Sequence, residues 1–313
     1  MIRAAGIFCA WLPLLMSAAC VSGPTFTADD VSDAEVSQQN IDVRAADGRE
    51  VDVRIFYPAD GCDTCPLIIF SHGANATYDR YDVLLEAWAR AGYIVAAPLH
   101  VDSEAHPKRG EYGREHHLPT RIDDFSASLD QLRSQSIEQI EGISISDNYI
   151  AAGHSFGALI AQIFGGAMVA GQSIDLTQSP SAVVAISPPG PVPGLVASTA
   201  WTSMNNPMLV VTGTDDIVPF VAPEWEDHLT SFEVAPLALA AALIFDGVDH
   251  YFNGAFGRID EARAVTSPVG QLNTAIFAFI DQAHQGVPIA DMILVERTAA
   301  NVRFLTNVEL DTR

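Results

Sequence analysis

The sequence predicts an α/β fold in which a mostly parallel central sheet carries helices on both faces. Three observations lead to this prediction. Short apolar segments, typical of buried parallel strands, alternate along the chain with segments of helical periodicity. A Gly-x-Ser-x-Gly motif stands where one such strand would pass into a helix. The chain also has 313 residues, which suffices for one large domain with a substantial core.

The predicted elements follow one another in a regular order. Two alternating strands come first, at 36–45 and 51–57, with Asp47-Gly48 as the hairpin turn between them. Buried strands and helices then alternate. The later strands are predicted at 67–70, 93–97, 148–152, 182–186, 208–212 and 243–245, and the helices at 81–91, 122–132, 158–164 and 269–282. This alternation indicates a sheet that is covered on both sides.

The N-terminal residues are expected to lie outside the folded domain, which we place at 36–313. Residues 1–19 combine one positive charge, an apolar run and small residues, which is typical of a signal peptide. Their end resembles a bacterial lipoprotein box, in which Cys20 would become the lipidated first residue, although Ser17 stands where the usual box has leucine. Ordinary secretory cleavage and an uncleaved anchor are the alternatives.

These features predict an exported protein, either periplasmic, attached to the outer membrane as a lipoprotein, or secreted. Residues 20–35 are rich in small and polar residues and are expected to form a flexible tether. Membrane attachment would then depend on the lipid on Cys20.

The cysteine pattern agrees with export. Cys62 and Cys65 form a C-x-x-C motif, and the other two cysteines of the chain lie in the signal segment. A zinc site would need a second pair, which the sequence lacks. In an oxidising compartment the motif favours a disulfide that staples a hairpin loop.

The charge of the chain argues against two classes of partner. Acidic residues outnumber basic ones by 39 to 16, which gives a formal net charge of −23, and Lys108 is the only lysine. Such a surface repels nucleic acid and anionic membrane faces, so neither is expected as a partner.

The Gly-x-Ser-x-Gly motif at 153–157 is the strongest chemical signal in the sequence. An apolar segment, 148–152, precedes it and a helix-forming segment, 158–164, follows it. This is the context of a nucleophile elbow, in which a sharp turn exposes the serine hydroxyl and the glycines remove side chains that would clash. Ser155 is therefore the candidate nucleophile, and a tight turn without chemistry is the alternative.

A serine nucleophile needs a histidine that takes its proton and a carboxylate that orients the histidine. In an open parallel sheet such residues follow the carboxyl ends of strands. Asp215 and Asp216 follow one predicted strand after Ser155, and His250 follows the next. Asp215 is the preferred acid and Asp216 the alternative.

The oxyanion formed during acyl transfer needs two backbone donors aimed at the developing charge. The N–H of Phe156, at the start of the helix after Ser155, is one candidate. The second is expected at Ala74, in the loop that follows residues 70–73. His72 in the same stretch is expected to support this loop, with a role as a second base as the alternative.

Taken in order, these motifs resemble those of platelet-activating-factor acetylhydrolase and its bacterial dienelactone-hydrolase-like relatives. The resemblance covers about residues 50–165 and is looser beyond. It is carried by Ile69-Phe70-Ser71-His72-Gly73, Gly92-Tyr93-Ile94-Val95-Ala96-Ala97, Arg121 with Asp124 and Leu129-Asp130-Gln131-Leu132, and Gly153-His154-Ser155-Phe156-Gly157. It implies an α/β-hydrolase fold and a serine esterase that needs no metal or cofactor, with Ala74 and Phe156 at the oxyanion-hole positions.

One departure from this family shapes the functional expectation. The acetylhydrolase carries its acid after the strand that follows the nucleophile helix, where this chain has Ser187-Pro188-Pro189-Gly190. The acid is therefore expected after the next strand, and the four-residue step from Asp215 to Pro219 fits the family pattern better than the step from Asp216.

This departure favours a general bacterial esterase over a phospholipid acetylhydrolase. The expected substrate is a small-molecule or lipid-like ester of short to medium acyl chain. A polyester or thioester hydrolase with the same triad and a non-catalytic envelope scaffold are the alternatives.

Three further segments have weaker signals. The stretch from His100 to His117 is rich in histidine and acidic residues and is predicted to be a long loop at the rim of the site, with metal binding as the alternative. Residues 188–200 are expected to form either a lid or a plain connection. The tail at 289–313 is expected to add to an edge of the fold.

Overall fold

A nine-stranded sheet runs through the protein, in a computed structural model that describes residues 34–134, 143–170, 174, 178–294 and 301–307. The predicted signal peptide, Cys20 and nearly all of the predicted tether lie outside these residues. The strands are β1 (Val36–Arg44), β2 (Glu50–Pro58), β3 (Cys62–Ser71), β4 (Ile94–Pro98), β5 (Ile143–His154), β6 (Ala182–Ile186), β7 (Met208–Asp215), β8 (Ala240–Asp249) and β9 (Val302–Thr306).

The strand order is β1-β2-β4-β3-β5-β6-β7-β8-β9. The six strands from β4 to β8 are parallel to one another, while β2 is antiparallel to β4 and β9 is antiparallel to β8. Strand β1 forms the predicted hairpin with β2, in register from Val36 opposite Pro58 to Arg44 opposite Glu50. The carboxyl ends of the parallel strands therefore share one edge of the sheet, where a site is expected.

Helices cover both faces of this sheet, which confirms the predicted fold class. They are α1 (Asp82–Arg90), α2 (Arg114–Arg133), α3 (Phe156–Phe164), α4 (Thr230–Val234), α5 (Glu261–Ala264) and α6 (Val269–His284). On one face Trp88 of α1 and Phe279 of α6 belong to one apolar core. On the other face Phe125 of α2 and Phe164 of α3 belong to a second core, and their rings stack at 4.1 Å. No helix among the described residues has the length and apolar composition to cross a bilayer.

Helix α2 differs from its prediction because it begins at Arg114 instead of residue 122. It contains Pro119, a residue type that disfavours a helix interior, five positions after its start. His116 and His117 consequently lie on this helix, so the predicted rim loop is shorter than 100–117.

The predicted edge addition in the tail is confirmed for residues 302–306, because β9 pairs with β8 and forms the edge of the sheet. Leu243 lies opposite Phe304 in this pairing. The rest of the predicted tail has a single turn of 3₁₀ helix at Ile289–Asp291 within the part of the chain that is described.

The disulfide between Cys62 and Cys65 is present, at the start of β3 instead of in a hairpin loop. The pairing of β3 with β5 is irregular at this point, with register shifts between Cys62 and Cys65 and between Cys65 and Leu67. The disulfide therefore lies at the irregular first residues of β3, where this strand pairs with β5.

Reduction of this disulfide is expected to lower the free energy of unfolding by about 1–2 kcal/mol, because it closes a very short loop. Urea unfolding with and without reductant measures the change. Cys62→Ser, which cannot form the bridge, is the control and should not respond to reductant. A wild-type unfolding curve that is identical in both conditions would contradict this expectation.

Candidate active site

Ser155 lies at a sharp turn between β5 and α3. Its backbone angles, φ 56° and ψ −121°, are rare for a residue other than glycine. A side chain at Gly157 would overlap the backbone oxygen of Ser71, and one at Gly153 would overlap the carbonyl oxygen of Gly157. The two glycines thus let the turn pack closely against the end of β3, and this turn has the geometry of a nucleophile elbow.

The turn opens into a cavity of about 650 Å³, and four of the predicted site residues line it together: Ser155, His250, Ala74 and Phe156. One wall of the cavity is apolar and consists of Leu159, Pro189, Val192, Leu195, Val218 and Val221. The rest of the lining includes the polar or charged side chains of Asn75, Arg80, Glu104, Tyr251 and Arg258. The Pro- and Gly-rich segment at 188–200 therefore forms part of a wall of the cavity.

The acid that reaches His250 is Asp216. Its Oδ1 lies 2.7 Å from Nδ1 of His250, and Asp216 is fully buried. Thr212 donates its hydroxyl proton to the other carboxylate oxygen at 2.9 Å. Since Asp216 can only accept when ionised, Nδ1 of His250 carries a proton and Nε2 remains available for proton exchange.

Asp215, the acid preferred from the sequence, does not contact His250. It is the last residue of β7, pairs in the sheet with Asp249 and is exposed to solvent. The chain then turns, because the N–H of Asp216 donates to the carbonyl oxygen of Gly213 at 3.1 Å. This turn places Asp216 on the inner side, so the geometry supports the alternative acid and corrects the choice of Asp215.

The surroundings of Asp216 favour its ionised form. Burial alone would raise the pKa of this carboxyl. The contacts with His228 and His250 outweigh burial and hold its pKa well below the usual range. Asp216 therefore remains a carboxylate wherever the protein is folded near neutral pH.

His228 approaches the same carboxylate oxygen as His250. It lies on a 3₁₀ helix, Trp225–Leu229, and its Nε2 is 2.8 Å from Oδ1 of Asp216. Asp216, His228 and His250 form the one group of potential metal ligands found among the described residues, with ligand atoms within 4.8 Å. Tetrahedral zinc keeps nitrogen and oxygen ligands about 3.4 Å apart. The N–O distances of 2.7 and 2.8 Å are shorter and fit direct polar contacts better.

The two expected oxyanion donors face the same cavity. Phe156 is the first residue of α3, so its N–H has no acceptor within the helix. Ala74 lies in the exposed loop after β3, and the next residue, Asn75, has a φ of 61° and donates its N–H to Asp102 at 3.2 Å. The loop is thus held at Asn75, with Ala74 beside Ser155 along the cavity.

A buried chain of hydrogen bonds joins the loop after β3 to the loop of His250. The N–H of Gly73 donates to Oη of Tyr81 at 3.0 Å, and Tyr81 lies 2.8 Å from Nδ1 of His154. The other ring nitrogen of His154 lies 2.8 Å from the carbonyl oxygen of His250. That carbonyl can only accept, so Nε2 of His154 is the protonated nitrogen and Nδ1 accepts from Tyr81.

The ring of His154 is neutral in this arrangement. Burial, together with the nearby His250, lowers the pKa of His154 to about 3. Because the ring is neutral, it donates one hydrogen bond, to the loop of His250, and accepts one, from Tyr81.

Arg121 fixes the loop after β3 from the other side. This fully buried side chain makes a two-pronged ion pair with Asp102, at 2.8 and 2.9 Å. It also donates to the carbonyl oxygens of His72 at 2.6 Å and Gly73 at 3.1 Å. Burial alone would raise the pKa of Asp102, but Arg121 outweighs it and holds that pKa below the usual range. The loop before Ala74 is therefore attached to a paired charge in the core.

His72 supports this loop and does not line the cavity. It is fully buried, its Nδ1 lies 2.8 Å from the carbonyl oxygen of Gly73, and its Nε2 accepts from the N–H of His100 at 3.2 Å. Burial and the charge of Arg121 hold the pKa of His72 well below its usual value. Both ring nitrogens are thus engaged, as the supporting role requires.

A second serine–histidine–aspartate chain lies in the core. The hydroxyl of Ser71 lies 2.9 Å from Nε2 of His100, and Nδ1 of His100 lies 2.9 Å from Oδ2 of Asp124. All three residues are completely buried, so no substrate reaches this serine. His100 therefore belongs to the support of β3 and not to a metal site of the histidine-rich stretch.

Comparison with known proteins agrees with this architecture. A family model described as platelet-activating factor acetylhydrolase, isoform II, matches residues 49–110, which span β2 to β4 and the loop of Ala74. A provisionally assigned dienelactone hydrolase from Klebsiella pneumoniae subsp. pneumoniae superposes with a TM-score of 0.56 and 15% identity, over 79% of this chain and 99% of that one. The chain has the α/β-hydrolase fold.

The two matches agree with the resemblance found in the motifs and indicate a hydrolase. Among curated protein sequences, none matches this chain significantly.

Sequence reasoning did not assign a role to three residues of the candidate site. They are Tyr81 and His154, which line the cavity, and His228, which contacts Asp216 behind it. His154 is the second residue of the Gly-x-Ser-x-Gly motif, and its position next to Ser155 was the one sequence signal that could have marked it as part of the site. Tyr81 and His228 lie in helical segments that have no motif.

Proposed function

We propose that the protein is a carboxylester hydrolase that uses Ser155 as nucleophile, His250 as base and Asp216 as acid. The observation that carries the proposal is that Ser155 and His250 line one cavity while Asp216 holds Nδ1 of His250 at 2.7 Å. A strained turn presents the serine, as the nucleophile of this fold requires.

The reaction would proceed in two halves. Ser155 Oγ attacks the ester carbonyl while Nε2 of His250 takes the hydroxyl proton, and Asp216 stabilises the imidazolium that forms. The amides of Ala74 and Phe156 hold the oxyanion, and each such donor contributes about 3 kcal/mol to transition-state stabilisation. The alcohol leaves with the proton from His250. Water, activated by the same histidine, then cleaves the acyl-enzyme and restores Ser155.

The lining of the cavity supports an ester with an apolar acyl group. Val192 and Leu195 on one segment and Val218 and Val221 on another provide aliphatic surface near Ser155. The volume of about 650 Å³ is in the range of sites that enclose a small organic molecule. We therefore place the acyl chain of a small or lipid-like ester on this wall.

One surface feature favours cleavage of a polymeric or aggregated ester as the second candidate function. Phe220 is fully exposed, and its neighbours Ile217 and Val221 are 52% and 44% exposed. This turn adjoins the apolar wall through Val218 and Val221. An apolar turn beside the cavity suits a substrate that presents an extended apolar surface.

Export and lipidation at Cys20 are also part of the proposal. They rest on the sequence of residues 1–20 alone. The mass of the mature N-terminal peptide from the native host distinguishes a lipidated Cys20 from an ordinary cleavage product.

A fluorophosphonate probe followed by peptide mass spectrometry tests the proposed mechanism. We expect one covalent label, on Ser155, and none in Ser155→Ala. Ser187→Ala is the matched control, because Ser187 also has a positive φ, of 51°, but is buried. In this variant the label on Ser155 should remain. A label on another residue, or none, would overturn the assignment of Ser155.

A series of p-nitrophenyl esters from acetate to dodecanoate, measured in parallel, reports the acyl preference. Polyester particles and a thioester, assayed with the same protein, distinguish the second candidate and the thioester alternative from cleavage of soluble esters.

A further inference from the structure

His228 is a buried histidine with polar contacts on both ring nitrogens. Its Nδ1 lies 2.7 Å from the carbonyl oxygen of Pro188, and its Nε2 lies 2.8 Å from Oδ1 of Asp216. The side chain is 1% exposed. The catalytic scheme above does not use this residue.

The two contacts together specify the protonation of the ring. The carbonyl of Pro188 can only accept, so Nδ1 carries a proton. In a neutral ring Nε2 would then present its lone pair to the Asp216 carboxylate, which repels it. A second proton, on Nε2, makes the contact attractive. Nε2 of His228 has no partner with hydrogen-bond geometry, so its contact with Oδ1 of Asp216 is mainly an ion pair.

The surroundings of His228 agree with a charged ring. Burial alone would lower the pKa of His228, but the Asp216 carboxylate and the Pro188 carbonyl outweigh it and raise that pKa above its ordinary value. The other titratable groups that face His228 are His250, whose ring stacks on it at 5.7 Å, and the neutral His154. Among the described residues, Asp216 is the carboxylate that acts on this ring.

The fold holds His228 in place from the side of the Pro188 segment. A Cβ at Gly190 would lie 2.8 Å from the carbonyl oxygen of Asp227, which shows how closely the two segments pack. Asp227 Oδ2 also accepts from the N–H of Glu224 at 3.0 Å and fixes the start of the 3₁₀ helix.

We propose that His228 is a positioning residue for Asp216: a protonated second imidazole that holds the carboxylate in place and shares its charge with His250. The role in catalysis rests on the proposed function, because it requires Asp216 to be the acid of the triad. The proposed charge on His228 concerns the buried contact with Asp216 alone, so it does not depend on the proposed catalytic function.

The sharing of one carboxylate has a direct consequence for His250. A positive ring whose centre lies 5.7 Å from that of His250 opposes a second positive charge there. Removal of the His228 charge lets His250 protonate more readily. The acid side of the kcat/KM profile then moves to higher pH, by about one pH unit.

Histidine-ring ¹H–¹⁵N spectra of the wild-type protein test the charge itself without reference to activity. We expect the His228 ring, assigned by its loss in His228→Gln, to be mostly doubly protonated at pH 7, where a histidine with the ordinary pKa of about 6.5 is mostly neutral. A neutral ring at that pH would overturn the proposal.

The pH dependence of ester cleavage in two variants tests the effect on the base. His228→Gln keeps an N–H near the position of Nε2, and His228→Asn keeps one near the position of Nδ1, but neither carries a charge. We expect both to shift the acid side of the kcat/KM profile upward, while the exposed His116→Gln leaves it unchanged. Thermal unfolding of each variant verifies that it is folded.

The outcomes separate the two proposals. Profiles of both His228 variants that superimpose on the wild type would overturn the positioning role. Absence of fluorophosphonate labelling at Ser155 would instead overturn the proposed function, and the ring spectra would still decide whether His228 and Asp216 form a charged pair.

Discussion

Asp216→Asn is expected to lower kcat toward a p-nitrophenyl ester by about 10³–10⁴-fold, with little change in KM. The amide has the size of the carboxylate but no charge, so it no longer stabilises the imidazolium of His250. It also allows Nδ1 of His250 to lose its proton, which leaves the ring in the wrong tautomer. Steady-state kinetics at pH 8 measure the loss.

The neighbouring residue provides the matched control. Asp215→Asn removes the same charge one position earlier on an exposed side chain and should change kcat by less than about twofold, because exposed charges are strongly screened. Circular dichroism verifies the fold of both variants. If Asp215→Asn produced the large loss and Asp216→Asn did not, the assignment of the acid would be wrong.

Arg121→Met is expected to lower the free energy of unfolding by about 3–5 kcal/mol. The change leaves the carboxylate of Asp102 buried without its partner and removes the donors to the carbonyl oxygens of His72 and Gly73. Urea unfolding measures the difference. Ester cleavage should fall as well, because the loop of Ala74 loses its attachment to the core.

Two further variants show whether the burial of the charge is the cause. Arg44→Met breaks an exposed ion pair with Glu50 at 3.9 Å and should cost less than about 1 kcal/mol. Adding Asp102→Asn to Arg121→Met removes the unpaired charge and should recover part of the lost stability. Arg121→Met with the stability of Arg44→Met would contradict the proposed role of the buried pair.

The sequence pattern was enough to predict the sheet, the elbow, and the placement of Ser155 and His250 after strands that end at one edge of the sheet. Each of these depends on local apolar periodicity or on a short motif. The choice between Asp215 and Asp216 could not be made in this way. Strand β7 extends through Asp215 and the chain turns only after it, so one carboxylate faces solvent and the next faces the core. This direction depends on tertiary contacts such as the bond from Thr212.

The residues that sequence reasoning missed act over long separations. Tyr81 and His154 are 73 positions apart, and His154 contacts the carbonyl of a residue 96 positions away. His228 contacts Asp216 through one ring nitrogen and, through the other, the carbonyl oxygen of Pro188, 40 positions away. None of these contacts leaves a periodic or short-range signal in the chain.

The order of the strands links the site to the way the chain must fold. Strands β3 and β5 are neighbours, with Leu67 opposite Tyr149, although α1, β4 and α2 lie between them in the chain. Strand pairs that are distant in sequence are expected to form late in folding, since the long chain segment between them must close before the pairing compensates for the lost entropy. Ala74 follows β3, Ser155 follows β5 and His250 follows β8, so a partly ordered chain has no complete centre. Recovery of ester cleavage during refolding would therefore mark the completion of the sheet, and not the earlier formation of single helices.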